Sequence, residues 1–197
     1  MPYHAIQMSR KRQAGDQLTG GTRDVNPQYM SGLLTLSAAN TATEVTLGTP
    51  IVRVGPATGG KSIIMELIKL WVDFPTVDAE NAAATSRGFS FSMSTVSSGG
   101  TPAIVTLDNP RGLAWMDYSV RNAFTAAGTG MLENKLEPSC WDFTDGAGHG
   151  ILVATDNIFL QGNTSNQTGA SAFRWKISYR FKEVSLVEYI GIVQSQQ

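Results

Sequence analysis

One cysteine, Cys140, and two histidines, His4 and His149, stand in a chain of 197 residues. A single thiol leaves no intrachain disulfide to form, so the chain is not a disulfide-stapled secreted domain. Neither histidine has a metal-ligand neighbour at useful spacing. Charge is scarce too. Asp, Glu, Lys and Arg make up 16% of the residues, well below the usual quarter or so. The formal net charge is −1, so affinity for nucleic acid has to come from local patches. No apolar run approaches a membrane span, and the first residues lack the apolar stretch of a signal peptide. The expectation is a soluble protein made inside a cell. A G-x-S-x-G elbow and a conspicuous pair of carboxylates are also missing, so no enzyme activity is expected. No cofactor or metal is expected either, although Asp142 and Asp145 in WDFTDGAGHG offer a candidate calcium site.

Glycine (20 residues) and hydrophobic residues (42%) are plentiful, and Thr, Ser, Ala and Asn fill much of the rest. Such a chain reads as β structure with many turns, around a core of one large domain. Its low charge suggests a surface covered by neighbours more than by water. Cys140, between Pro138 and Trp141, reads as a small buried hydrophobe.

The clearest pattern is FRWKISYRFKEV, residues 173–184. Phe173, Trp175, Ile177, Tyr179 and Phe181 share one parity; Arg174, Lys176, Ser178, Arg180 and Lys182 share the other. Period two over this length predicts a β-strand with one buried face, and Trp175 belongs to that buried face. The opposite face carries four cations with no carboxylate until Glu183. They are either solvated or in contact with a polyanion or a partner subunit.

Strand-sized pieces recur from residue 33 onward: LLTLS (33–37), TEVTLG (43–48), PIVRV (50–54), GFSFSMSTV (88–96), PAIVTL (102–107), GLAWMDY (112–118), GILVAT (150–155), NIFLQG (157–162) and LVEYIGIVQ (186–194). Turn-rich stretches at 97–100, 108–112, 145–150 and 162–169 separate several of them. Residues 77–87 and 117–128 read as short helices in loops. Many short strands at fairly regular spacing predict an all-β sandwich of single jelly-roll type. Residues 1–31 lack a sustained period and read as an N-terminal arm, partly disordered or crossing to a neighbouring subunit, ahead of a domain over 32–197. Arg10, Lys11, Arg12 and Arg23 make the arm a candidate nucleic-acid contact.

One motif competes with this reading. GPATGGKS, Gly55 to Ser62, matches the P-loop pattern, in which Gly55 and Gly60 shape a phosphate cradle, Lys61 reaches the terminal phosphates and Ser62 holds magnesium. The context is unsuitable. The preceding strand carries Arg53 and begins at Pro50, whereas a central parallel strand is almost wholly apolar. The alternation of strands and helices typical of βαβ units is missing. The following KSIIMELIKLWVDF reads either as a helix or as a long strand whose parity shifts at a bulge near Leu67. The alternatives kept open are a P-loop nucleotide-binding enzyme and a jelly-roll carbohydrate-binding module.

The basic arm, the long segment KSIIMELIKLWVDFP and the closing FRWKISYRFKEVSLVEYIGIVQSQQ resemble the single jelly-roll capsid proteins of small circular single-stranded DNA viruses, or of satellite viruses. The resemblance covers most of the chain in architecture, with little motif content. One RKR cluster stands in place of a long Arg-rich tail. The resemblance implies a structural protein of the virion, assembled inside the host cell. It implies an icosahedral shell of roughly 60 identical subunits or a multiple, built on repeated contacts between copies. It also implies non-specific contact with the enclosed genome through Arg174, Lys176, Arg180 and Lys182.

Overall fold

The computed structural model describes residues 27–36, 42–51, 60–75, 86–99, 104–121, 137–167 and 169–196. Among these described residues, nine strands and one helix follow in order: β1 (Gln28–Leu36), β2 (Ala42–Gly48), β3 (Lys61–Asp73), β4 (Ser86–Ser94), β5 (Gly112–Arg121), β6 (Ser139–Asp142), β7 (Ile151–Val153), β8 (Asn157–Ser165), β9 (Ser171–Ser185) and α1 (Leu186–Gln196).

The strands form two antiparallel sheets. The first runs β1-β9-β3-β6, with β7 also on β3, and the second runs β2-β8-β4-β5. Strands β6 and β7 share one edge of β3 and act as a single broken strand, which leaves eight. The pairs β1·β9, β2·β8, β3·β6/β7 and β4·β5 are the rungs of one long nested hairpin. The pairs β3·β9 and β4·β8 close that ribbon into a roll. This is jelly-roll topology.

Alternation in the sequence decides which side chains meet between the sheets. Phe173, Trp175 and Ile177 of β9, Phe89, Phe91 and Met93 of β4, and Leu34 and Leu36 of β1 are all buried in one core. Rings of Phe74, Phe89, Phe91 and Phe173 pack with centroids 5.4–6.5 Å apart. Two glycines keep this core closed. A Cβ on Gly32 would lie 2.7 Å from Trp175, and one on Gly162 2.8 Å from Phe173. Strand β3 keeps its apolar side chains inward by a register shift between Leu67 and Lys69. Met65 and Leu67 before the shift, and Leu70 and Val72 after it, all enter the core. The bulge lies where the parity argument expects it.

Several expected elements differ. Residues 186–194 form a helix, not a strand. Its start is written in the chain: Ser185 Oγ accepts the backbone N–H of Glu188 at 3.2 Å, the first half of an S-x-x-E capping box. Tyr189, Ile192 and Val193 then pack on Ile64, Ala154 and Val184. Ile104–Leu107 belong to a loop rather than a strand; residues 102 and 103 lie outside the described residues. Asp117–Arg121 continue β5 instead of opening a helix, and Ser86 and Arg87 begin β4; the rest of both expected helices lies outside the described residues. Gly162–Ser165 extend β8 into the expected turn. The short strand β6, SCWD, carries Cys140 exposed rather than buried, because its neighbours Ser139 and Trp141 take the inward parity. Strand β1 begins at Gln28, four residues inside the expected arm; residues 1–26 lie outside the described residues.

Candidate nucleic-acid interface

The register of the first sheet sets its outward side chains in rows. Leu33 of β1 faces Arg174 of β9, which faces Asp73 of β3. One row on, Ser31 faces Lys176, then Trp71, then Cys140 of β6. Next come Tyr29, Ser178, Lys69 and Asp142. Beyond the bulge Arg180 faces Glu66, and Lys182 faces Ile64. The four cations expected on one face of β9 are therefore there. What the sequence of β9 alone does not reveal is the set of carboxylates one strand away.

Arg180 is turned to a carboxylate of its own sheet, with its side chain about a third exposed. Its Nε donates to Glu66 Oε2 at 2.7 Å and its Nη2 to Oε1 at 3.0 Å, a two-pronged contact. Glu66 is 1% exposed, and the backbone N–H of Gly150 donates to it at 2.7 Å. The 143–150 loop thus lies over the pair, and the carbonyl of Gly148 accepts a further bond from Arg180 at 2.9 Å. Burial alone pushes the Glu66 carboxyl up. The bonds from Arg180 and Gly150 and the charges of Arg180 and Lys182 outweigh it and hold Glu66 below the usual carboxylate range. Gly150 is required here, since a Cβ would lie 1.9 Å from the carbonyl oxygen of Leu67 at the bulge.

The other cations are looser. Arg174, with a side chain 74% exposed, meets Asp73 at 3.2 Å. Lys69 meets Asp142 at 2.9 Å. The Thr144 hydroxyl, followed by Lys69, holds Asp142 far below the usual range. Lys176 has a different kind of partner. Its Nζ lies 4.5 Å from the centre of the Tyr29 ring and 5.9 Å from that of Trp71, within cation–π range of both. Tyr29 and Trp71 were not legible as site residues. They lie on strands β1 and β3, and only the register brings them to the two sides of Lys176.

The remaining expected site residues part company. Arg10, Lys11, Arg12, Arg23 and Gly55 lie outside the described residues. Gly60 turns the chain into β3 with φ at +81°. Lys61 and Ser62 are the first residues of that strand, so the helix a P-loop needs is not there, and β3 runs antiparallel to its neighbours. Lys61 instead meets Glu183 at 3.2 Å. Asp142 and Asp145 do not converge on a cation: Asp145 accepts the backbone N–H groups of Ala147 and His149 in its own turn. Among the described residues no group of three His, Cys, Asp or Glu side chains could hold a metal ion. Nor is any helix among them long and apolar enough to cross a membrane.

The outer face of the second sheet is built differently. Its described outward side chains include Glu44, Asp117, Ser90, Ser92, Ser94, Gln161, Asn163, Trp115 and Phe159, and neither Lys nor Arg. Gln161 is 1% exposed. Its carbonyl accepts from Val105 N–H at 2.7 Å and Ser92 Oγ at 2.9 Å, and its amide donates to Glu44 at 2.9 Å. The loop after β4 is pegged over the sheet by these bonds. A cleft of about 330 Å³ lies between residues 96–98 and 104–109 of that loop, and none of its described lining residues is aromatic.

No protein-family profile matches the chain, and no curated protein matches significantly. Among solved structures, the human polyomavirus 6 VP1 pentamer superposes with a TM-score of 0.48 at 9% identity, over 85% of this chain and 98% of that one. Apo New Jersey polyomavirus VP1 gives 0.45 at 8% identity, over 80% and 100%. Human polyomavirus 12 VP1, solved with 3′-sialyllactosamine, gives 0.42 at 9% identity, over 81% and 100%. Chains this divergent and this loosely superposable carry no information on what this protein binds.

Proposed function

We propose that this chain is a structural capsid protein that self-assembles into a closed shell, with the outer face of its first sheet turned to enclosed nucleic acid. The carrying observation is apolar surface left open on a jelly roll with little charge. Tyr29 and Leu33 on β1, and Leu186, Val187 and Ile190 on α1, are exposed. Helix α1 is apolar nearly all round, which fits a helix covered on both sides, yet among the described residues only one side is covered. Large exposed apolar patches mark contact surfaces, and identical subunits supply such contacts by symmetry. The polarity of the sandwich supports an orientation: among the described side chains, five outward cations stand against three carboxylates on the first sheet, while the second carries no cation beside its hydroxyls, amides, carboxylates and the rings of Trp115 and Phe159.

Sedimentation velocity and negative-stain microscopy of the purified full chain test the reading. Particles far larger than a dimer are expected. A monomer at every salt and pH tried would overturn it, and a small defined oligomer that binds sugar would favour a carbohydrate-binding module.

A further inference from the structure

Resting on the reading of the first sheet as a polyanion-facing surface, we infer that β1, β9 and β3 together form a platform for single-stranded nucleic acid, with bases stacked on Tyr29 and Trp71 and the backbone led past Lys176 and Arg174.

The first support is the placement of the rings. Four phenylalanines, Phe74, Phe89, Phe91 and Phe173, meet in the core, and the outward rings of the second sheet, Trp115 and Phe159, have no described Lys or Arg side chain on their face. Tyr29 and Trp71 are on the opposite side of the first sheet, and Tyr29 is 55% exposed. They flank β9 from its two neighbouring strands, so the backbones carrying them are about 10 Å apart. Each has the same cation beside it, Lys176. A lysine held between two rings gives each ring a preferred face and marks where a phosphate sits once bases occupy those faces. Exposed Ser31 and Leu33, with Arg174, continue the same rows along β1 and β9.

The second support is a comparison of magnitudes. Most cations of this face already meet carboxylates: Arg174 with Asp73, Lys69 with Asp142, Arg180 with Glu66. The surplus is small, about two charges. Counterion release from two phosphates gives a log–log salt slope of only about −1.4 for a single strand, too shallow to hold a polymer by charge alone. Stacking, sequence-tolerant and available only to unpaired bases, supplies the missing part. It also excludes duplex as the preferred ligand, since this flat face projects no helix or ribbon into a groove.

Fluorescence anisotropy on the full chain separates the possibilities, using a labelled oligothymidylate, an abasic oligomer of equal length and charge, and a duplex. The thymidylate is expected to bind roughly ten-fold or more tightly than the abasic strand, with a shallow salt slope. Trp71→Ala and Tyr29→Ala should each weaken thymidylate binding roughly ten-fold and shrink that difference. Trp71→Phe and Tyr29→Phe, which keep a ring, should retain it and report on folding. Equal affinity for thymidylate and abasic strand, or a preference for duplex, would overturn the stacking platform while leaving a charged surface standing. No binding to any of the three by wild-type protein kept as unassembled subunits, together with particles that hold no nucleic acid, would overturn the polyanion reading itself. If the Ala variants lose particle formation and the wild type does not prefer thymidylate, the face is a contact between copies and the platform is rejected.

Discussion

On the first sheet, the outward positions of β9 and β3 carry cations set one strand away from carboxylates. On the second sheet, the described outward positions carry hydroxyls, the amides of Gln161 and Asn163, two carboxylates and the rings of Trp115 and Phe159. Both faces have a polar group almost entirely removed from water, Glu66 in one and Gln161 in the other, and each is covered by a loop of the same chain. The cost of burial is met in two ways. Glu66 is charged and takes a cation, two prongs deep, plus a backbone N–H. Gln161 is neutral and satisfies both ends of its amide with backbone and side-chain partners. A buried charged lock can add little net stability when intact, because desolvation offsets the attraction, yet it leaves more behind when half of it is removed. A neutral peg fails more gently. The difference also decides what stays open among the described residues: the loop after β4 lies over its face, whereas α1 and the 143–150 loop do not reach the Tyr29–Lys176–Trp71 end of the first sheet.

The shared core sets the upper end of the scale. Trp175→Ala removes a large ring from beneath Gly32 and should cost about 3–5 kcal/mol in urea unfolding, whichever face is studied. Arg180→Ala should follow at about 3 kcal/mol, because it leaves the Glu66 carboxylate buried with the Gly150 N–H bond and the charge of Lys182 but no ion-pair partner in contact. A cost near zero there would show that the 143–150 loop moves aside and lets water reach Glu66.

Gln161→Ala should cost about 2 kcal/mol, from the stranded N–H of Val105 and hydroxyl of Ser92. Hydrogen exchange should speed up at Val105 and leave β3 and β9 protected. Arg180→Ala should do the reverse, so the two variants together test whether the faces are independent.

Acid sharpens the same comparison. Glu66 has a folded-state pKa below its unfolded value, about 4.3 for an ordinary Glu. Its stabilisation is therefore complete above that unfolded value, because the unfolded chain takes up protons first as pH falls. It drains away as pH drops from there through the lower folded value. Glu66→Gln should flatten the fall in unfolding midpoint between pH 6 and about pH 3. Glu44, lowered by Ser97, Ser98 and Gln161 against its own burial, should leave a smaller residual slope on the second face.

The smallest effect belongs to the exposed cations. Changing Arg174, Lys176 and Lys182 together to Gln should alter stability by less than about 1 kcal/mol, as surface pairs contribute little. The same change should reduce co-purifying nucleic acid. Arg180 is kept out of that set because it holds Glu66.

How much of this was legible depended on element length. In β9 and β4 the alternation runs long enough to declare both the strand and its buried side, whereas the segment of β3 read equally as a helix or as a strand with a bulge near Leu67, and only the pairing chose the strand. Four-residue β6 is too short to show a period. Ile104 to Leu107 look like a strand in composition, but Gln161 takes the backbone N–H of Val105 that a strand would have given to a neighbour. In α1, the β-branched residues Val187, Ile190, Ile192 and Val193 outweighed a helix start, Ser185-x-x-Glu188, that was present in the sequence.

The sequence by itself determined an all-β sandwich, its principal buried residues and the cations of β9, because periodicity and side-chain chemistry are local. Only the tertiary structure decided what those cations meet. Which residue stands opposite Arg180 or beside Lys176 depends on pairing strands more than a hundred residues apart, with a register that one extra residue at Ile68 shifts. That register turned Arg180 into half of a buried lock, and it set Lys176 between two rings that no local pattern connects.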